Sequence, residues 1–328
     1  MNKDLKNIAV IGTGAYGIAL ASIFDENKCF VTMWTKFENE KEEILTKRSN
    51  ERVLPGFRIS DTINITTDIK ECVKDADLVV IAVPAGVVDD VSKLLKGVIK
   101  DQVVCIASKG IEQDTCLFVN DVFLKHVKTE KLAIISGPSF AVDIISKMPI
   151  GLTLATTNKE AEKLIKETLQ NNHLKLRTTT DIYGTEICGS IKNVIAIASG
   201  MLDGLGANES TKAMFITESL HDIKELIKNL GGDGKTILSF AGFGDLLLTC
   251  TSTKSRNFSF GKILATGTKD EVEEYKKTHT IEGLYTLQSI YTLLNNKKVD
   301  MPIIDLIYSI IFDDVKTKEL LTFLIEKN

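Results

Sequence analysis

The stretch NIAVIGTGAYGIALASIFDE, Asn7 to Glu26, decides how the rest of the chain is read. NIAVIG, Asn7 to Gly12, is a β-branched apolar run that reads as a buried strand, and GIALASIFDE, Gly17 to Glu26, carries helical periodicity. Between them Gly12, Gly14 and Gly17 form the pattern GxGxxG. In that position the first glycine permits a tight turn and the second lets backbone approach a pyrophosphate. The third permits close helix–strand packing, and the helix N-terminus faces the anion. The bland alternative is a glycine-rich turn with no ligand; the strand before it and the helix after it favour dinucleotide binding. The chain start, MNKDLKNIAVIGTGAYGIALAS (1–22), has two lysines, an apolar middle and a small-residue Ala-Leu-Ala-Ser end like a secretory signal, but its glycines interrupt the apolar core such a signal needs.

Working outward, CFVTMW (29–34), LVVIAV (78–83), VVCIAS (103–108) and LAIIS (132–136) read as further buried strands, with helical segments such as KLLKGVIK between them. Near-continuous apolar strands separated by helices imply a parallel sheet covered on both faces. IGLTLATT and LKLRTTT are expected to add strands at an edge. After Asp181 the strand signal stops, and TEICGSIKNVIAIASGMLDGL, STKAMFITESLHDIKELIKNL, GLYTLQSIYTLLNN and PIIDLIYSIIFD all read as helices. The expected fold is α/β: an N-terminal Rossmann-like parallel-sheet domain over 1–180, then an all-helical C-terminal domain over 181–328.

A length of 328 residues favours two cores over one. The net charge of −4, from 40 basic and 44 acidic residues, offers no basic excess for nucleic acid. Six cysteines are scattered without a CxxC pair, and four histidines show no metal-ligand spacing. The cysteines therefore read as thiols of a reducing cytoplasm, and no metal cofactor is expected. LVVIAVPAGVV, Leu78 to Val88, is too short to span a bilayer and contains Pro84.

Several residues carry possible chemistry. Lys36 stands just beyond the second strand, where an Asp or Glu usually meets a free ribose 2′-hydroxyl; a base there suits a 2′-phosphate, and a solvated lysine fits equally well. GGDGKT, Gly231 to Thr236, fails as a phosphate loop because Asn229 occupies the first glycine position and a helix precedes it. SKG, Ser108 to Gly110, and GPSFA, Gly137 to Ala141, each follow a strand end, where open α/β sheets bind ligands. Each alone reads as a turn. In GSIKNVIAIASG, Lys192 and Asn193 interrupt an apolar helix. Lys192 is either a lysine desolvated toward proton transfer or one snorkelling out of a core helix. No tyrosine has a lysine four positions on, which argues against the short-chain dehydrogenase arrangement. Finally, GFGDLLLTCTSTKSRNFSFG, Gly242 to Gly261, sets Asp245 and a Ser-Arg-Asn cluster among glycines far from the nucleotide fingerprint.

Taken jointly, GTGAYG, LPG (54–56), AVP (82–84), SKG, GPSFA, IKNV, GFGDLLLTCTS, SRN and the EG at Glu282 resemble the NAD(P)-dependent glycerol-3-phosphate dehydrogenases of the bacterial type. The resemblance runs from about Asn7 to beyond Glu282. It implies reduction of dihydroxyacetone phosphate to sn-glycerol 3-phosphate or the reverse, with NAD or NADP and no metal, supplying phospholipid synthesis in the cytoplasm. Lys192 would be the proton acceptor or donor. Lys109, Gly137, Ser139, Lys192, Asp245, Ser255, Arg256 and Asn257 would surround the substrate. Gly12, Gly14, Ala15, Tyr16, Gly17, Lys36, Lys109, Ala141, Arg256 and Glu282 would meet the cofactor. Asn193 and Thr249 match motif positions near the substrate. On this reading Arg256 takes the phosphate with its planar fork, Asp245 orients the carbinol or Lys192, and the glycines of 242–261 let backbone approach the ligand. A homodimer is implied as well; a nucleic-acid partner or a membrane span is not. The chain departs from the family pattern at Glu218, where an Arg is common, and at Lys36, where Arg or His stands in other members. The competing readings are a related β-hydroxyacid dehydrogenase and a non-catalytic NAD(P)-sensing module.

Overall fold

The computed structural model describes residues 5–326. The chain divides into two compact units: one runs through Lys109 and resumes over Val119–Ile182, and the other comprises Gly110–Phe118 and the chain from Tyr183 onward. A single boundary near residue 180 therefore misses one exchange. Ile111 and Phe118 are buried in the helical core of the second unit, and Ser289 Oγ donates to the Ile111 carbonyl at 3.5 Å. Burial of two large apolar side chains holds this short segment with the helices.

The first unit is built on one eight-stranded sheet: β1 (Asn7–Ile11), β2 (Phe30–Trp34), β3 (Asn64–Thr66), β4 (Leu78–Ile81), β5 (Val103–Ile106), β6 (Leu132–Ser136), β7 (Ile150–Ala155) and β8 (Leu174–Thr179). Their spatial order is β3-β2-β1-β4-β5-β6-β7-β8. All neighbours pair in parallel except β6 and β7, which are antiparallel. Every residue of β4, β5 and β6 is buried, as strands covered on both faces require. The order reverses between β1 and β4, the switch point outside whose carboxyl ends such sheets bind ligands. The glycine fingerprint lies there, at the end of β1. The edge strands expected from 150–157 and 174–180 are present as β7 and β8; β3, only three residues long, has no strand signature of its own.

In the second unit the helix Ile182–Gly204 is buried on nearly its whole circumference, the behaviour of a helix that is apolar all round. Its end is set by Gly206, whose backbone has φ +78°. Around it lie the helices Glu209–Asn229, Glu282–Lys297 and Pro302–Phe312, close to the segments read from the sequence. Three further helices, Asp245–Thr251, Arg256–Thr266 and Lys269–Thr278, fill the region that carries the Ser-Arg-Asn cluster. No helix among the described residues is long and apolar enough to cross a membrane.

Candidate active site

The nucleotide end is shaped by what a side chain at each glycine would meet. A Cβ on Gly12, at φ +118°, would stand 2.6 Å from the Ala82 carbonyl oxygen, and one on Gly17 would stand 2.3 Å from that of Gly12. Both positions exclude any larger residue. Gly14 meets nothing within 4 Å and is exposed. The loop thus leaves open backbone at the residue that precedes the helix Ala15–Glu26, which is the cradle a pyrophosphate requires. Ala15 and Tyr16 begin that helix, half-buried. The Tyr16 hydroxyl lies 3.2 Å from Ser139 Oγ, which donates to the Gly137 carbonyl at 3.1 Å. Lys109 Nζ donates to the same carbonyl at 3.3 Å. Tyr16, Lys109, Gly137 and Ser139, far apart in sequence, are therefore one cluster in the first unit. Ala141 opens the helix Ala141–Ile145 directly after it. Lys36 is exposed past β2 and makes no ion pair among the described residues.

The acid of this end was not visible in the sequence. Glu40 lies in the charged stretch ENEKEE, yet its side chain is only 14% exposed. Its Oε2 accepts from Thr13 Oγ1 at 2.6 Å and from Thr35 Oγ1, and its Oε1 accepts from Asn50 Nδ2 at 3.0 Å and Arg52 Nη2 at 3.2 Å. Burial pushes this carboxyl upward, but the hydrogen bonds outweigh it and hold Glu40 below the usual carboxylate range.

In the second unit, Lys192 Nζ lies 2.6 Å from Asp245 Oδ1 and 3.2 Å from Thr249 Oγ1. The side chains are 12% exposed for Lys192 and 1% for Asp245. Thr249 Oγ1 donates to the Asp245 carbonyl at 2.6 Å, one helical turn back. With its proton committed there, its lone pairs face Lys192. The expectation of a lysine set among apolar groups needs correcting, because the Ile191 and Val194 side chains are buried but the ammonium itself meets a carboxylate and a hydroxyl. Beside it, Asn193 Nδ2 donates to Glu282 Oε2 at 3.4 Å, and Asn193 Oδ1 accepts from Asn257 Nδ2 at 3.0 Å. Asn257 Oδ1 accepts the Gly283 N–H at 2.9 Å, where a Cβ would stand 2.7 Å from the Asn193 carbonyl oxygen. This chain of amides ties the EG turn, the Lys192 helix and the Ser-Arg-Asn cluster together.

Ser255 caps the helix Arg256–Thr266, its Oγ accepting the Phe258 N–H at 3.3 Å. Arg256 follows as the first helical residue, exposed and without an ion pair among the described residues. The glycines around this segment lie against neighbouring backbone. A Cβ on Gly261 would lie 1.9 Å from the Ile197 carbonyl oxygen, one on Gly200 would lie 2.0 Å from that of Phe258, and one on Gly242 would lie 2.2 Å from that of Ile237. Gly200 and Gly261 let the backbones of the helices Ile182–Gly204 and Arg256–Thr266 touch, and Asn257 meets Asn193 across the same pair of helices. Cys250 lies near this pair, but burial pushes its thiol far up, which leaves no thiolate nucleophile at neutral pH. Among the described residues no group of His, Cys, Asp and Glu side chains could hold a metal ion.

A family model for the N-terminus of NAD-dependent glycerol-3-phosphate dehydrogenase matches residues 7–162, and one for its C-terminus matches residues 181–322. The chain belongs to this family. It is 33% identical over 328 residues to the glycerol-3-phosphate dehydrogenase (NAD(P)+) of Staphylococcus epidermidis, covering 99% of each chain. It superposes on a crystal structure of glycerol-3-phosphate dehydrogenase from Coxiella burnetii with a TM-score of 0.91, at 29% identity, covering 98% of this chain and 99% of that one. A ketopantoate reductase structure from Ralstonia eutropha shares the fold alone, with a TM-score of 0.61 at 11% identity.

Proposed function

We propose that this NAD(P)-dependent dehydrogenase interconverts dihydroxyacetone phosphate and sn-glycerol 3-phosphate, acting in the cytoplasm as a homodimer and supplying phospholipid synthesis. One observation carries the reading: the Lys192–Asp245–Thr249 constellation is joined through Asn193 and Asn257 to an exposed Arg256 that has no ion pair among the described residues. A proton-transfer group and a phosphate partner then belong to one assembly within one unit.

The nicotinamide, when bound, supplies or accepts the hydride. In the reductive direction the carbonyl oxygen gains charge, and Lys192 Nζ donates a proton to it. In the oxidative direction the Lys192 amine takes the hydroxyl proton. Asp245 and Thr249 fix the direction of Nζ, so the lysine does not search among rotamers in the transition state. Arg256 holds the phosphate with two parallel N–H donors, and Asn257 keeps that helix start against the Lys192 helix. In the first unit, the open backbone at Gly14 and the cluster of Tyr16, Lys109, Gly137 and Ser139 present donors to the cofactor and its partner. A sensing module would have no use for a buried Lys–Asp pair of this kind.

Steady-state oxidation of NADH and NADPH, followed by nicotinamide absorbance, tests the reading. Turnover is expected with dihydroxyacetone phosphate and not with small β-keto acids. Turnover with a β-keto acid alone would replace this reading with the β-hydroxyacid one.

A further inference from the structure

We infer that Tyr275 is a positioning residue of the substrate site, its hydroxyl fixing the backbone from which Arg256 reaches the phosphate. The inference rests on the phosphate role proposed for Arg256 and deepens it. The helices Arg256–Thr266 and Lys269–Thr278 are joined by Gly267 and Thr268 alone and fold back on each other. A capping box starts the second: Glu271 Oε2 accepts the Thr268 N–H at 2.7 Å, and Thr268 Oγ1 accepts the Glu271 N–H at 3.3 Å. The fold-back brings Tyr275, late in the second helix, beside the start of the first. Its hydroxyl donates to the Arg256 carbonyl at 3.3 Å. A helical carbonyl keeps a lone pair beyond its intrahelical bond, so this contact ties down the helix start without weakening the helix.

Arg256 needs such a tie. Its side chain is exposed and has no ion pair among the described residues, and a long side chain of this kind carries large rotamer entropy. The fork meets a small anion in one geometry only if the backbone that carries it stays in place. Tyr275 is itself held firmly. Its ring stacks on His279, with centroids 4.1 Å apart and planes at 7°, and on the fully buried Phe260, at 6.3 Å and 28°. Thr278 Oγ1 lies 2.9 Å from His279 Nδ1 and orients that ring in turn. On the other side of Arg256, Ser259 Oγ donates to the Thr253 carbonyl at 3.0 Å and holds the loop that leads into Ser255. The Ser-Arg-Asn cluster is thus fixed twice, its loop by Ser259 and its helix start by Tyr275. Burial pushes the Tyr275 phenol upward, which keeps it a donor at neutral pH. Packing asks only for the ring, whereas the hydroxyl is aimed at the residue that carries the fork.

The test is Tyr275→Phe, which keeps the stack and removes only the donor. The KM for dihydroxyacetone phosphate should rise about three- to tenfold, the contribution of one hydrogen bond, while kcat and the melting temperature stay close to wild type. Unphosphorylated dihydroxyacetone should show no change in kcat/KM. The decisive arm repeats the substitution in Arg256→Gln, where the hydroxyl has no fork to position; there Tyr275→Phe should change nothing further. Calorimetry with inorganic phosphate makes the same comparison without turnover, and Tyr275→Phe should weaken binding only where Arg256 is present. Equal losses in both backgrounds, equal losses on both substrates or an unchanged KM would overturn the inference and leave Tyr275 a packing residue. A wild-type enzyme that does not reduce dihydroxyacetone phosphate, while phosphate binding keeps this joint dependence on Tyr275 and Arg256, would count against the proposed reaction and not against the role of Tyr275.

Discussion

The phosphate contact proposed for Arg256 predicts that a phosphorylated substrate and its dephosphorylated analogue respond differently to the loss of its guanidinium. It is exposed and carries no acid partner among the described residues, while its neighbours Ser255 and Asn257 are buried and committed to a cap and an amide chain. Replacing Arg256 by lysine keeps the charge and loses the fork. Hydrogen bonds to charged groups contribute roughly 1.5–3 kcal/mol, so Arg256→Lys is expected to cost at least about tenfold in kcat/KM for dihydroxyacetone phosphate. Unphosphorylated dihydroxyacetone gives Arg256 no anion and should be affected little. An equal loss on both substrates would assign the residue to folding or to the cofactor. At this scale the sequence was half legible. A lysine interrupting the apolar helix of IKNV marked Lys192, and the SRN cluster marked Arg256. Asp245, 53 positions from Lys192 in sequence, was marked by its motif, but the 2.6 Å pair that makes it useful is a property of the folded chain. Glu40 was hidden for the opposite reason, since an acid among acids looks solvated until its donors are in view.

The crossing of the helices Ile182–Gly204 and Arg256–Thr266 brings together residues far apart in sequence. Gly200 and Gly261 face each other's helix across carbonyl oxygens with no room for a methyl group. Gly261→Ala must push the backbones apart, at an overpacking cost of about 1–3 kcal/mol, and the displacement reaches Asn193 and Asn257. The expected result is a lower melting temperature and a reduced kcat/KM together. Gly86→Ala is the control: its Cβ would meet nothing within 4 Å, so melting should stay put or rise slightly. A Gly261→Ala protein that melts like wild type would mean the helices tolerate a wider crossing. Element types were legible where the pattern was long: β1, β4, β5 and β6 are apolar runs, and the Ile182–Gly204 helix is apolar over more than five turns. What stayed hidden has physical causes. The strand β3 is three residues long, and strand direction leaves no trace in composition, so the antiparallel pairing of β6 with β7 could not be read. In KLLKGVIK the helix stops at Leu95 because Gly97 takes φ +74°.

At the scale of the whole molecule, each unit has its own core. Ile8, Val10, Leu78 and Leu152 belong to one, and Ile191, Val194, Phe215 and Leu287 to the other. The glycine loop belongs to the first unit and the Lys192 pair to the second, so on the proposed reading binding and proton transfer are separable by mutation. Lys192→Ala should lower turnover about 10²–10⁴-fold, the usual worth of a general acid or base, while the NADPH dissociation constant stays within about twofold of wild type. The same substitution strands Asp245, 1% exposed, without its cation. Removing one partner of a buried pair costs about 3–5 kcal/mol, so Lys192→Ala should also melt at a lower temperature. Stability and catalysis can then be told apart with Lys192→Ala/Asp245→Asn, which removes the stranded charge. The double variant should recover much of the melting temperature and none of the turnover, because neutralising Asp245 supplies no proton donor. Recovery of turnover along with stability would mean that Lys192 serves only to neutralise Asp245, and the proton would have to come from another group. Loss of NADPH binding in the single variant would mean that the two cores are not independent.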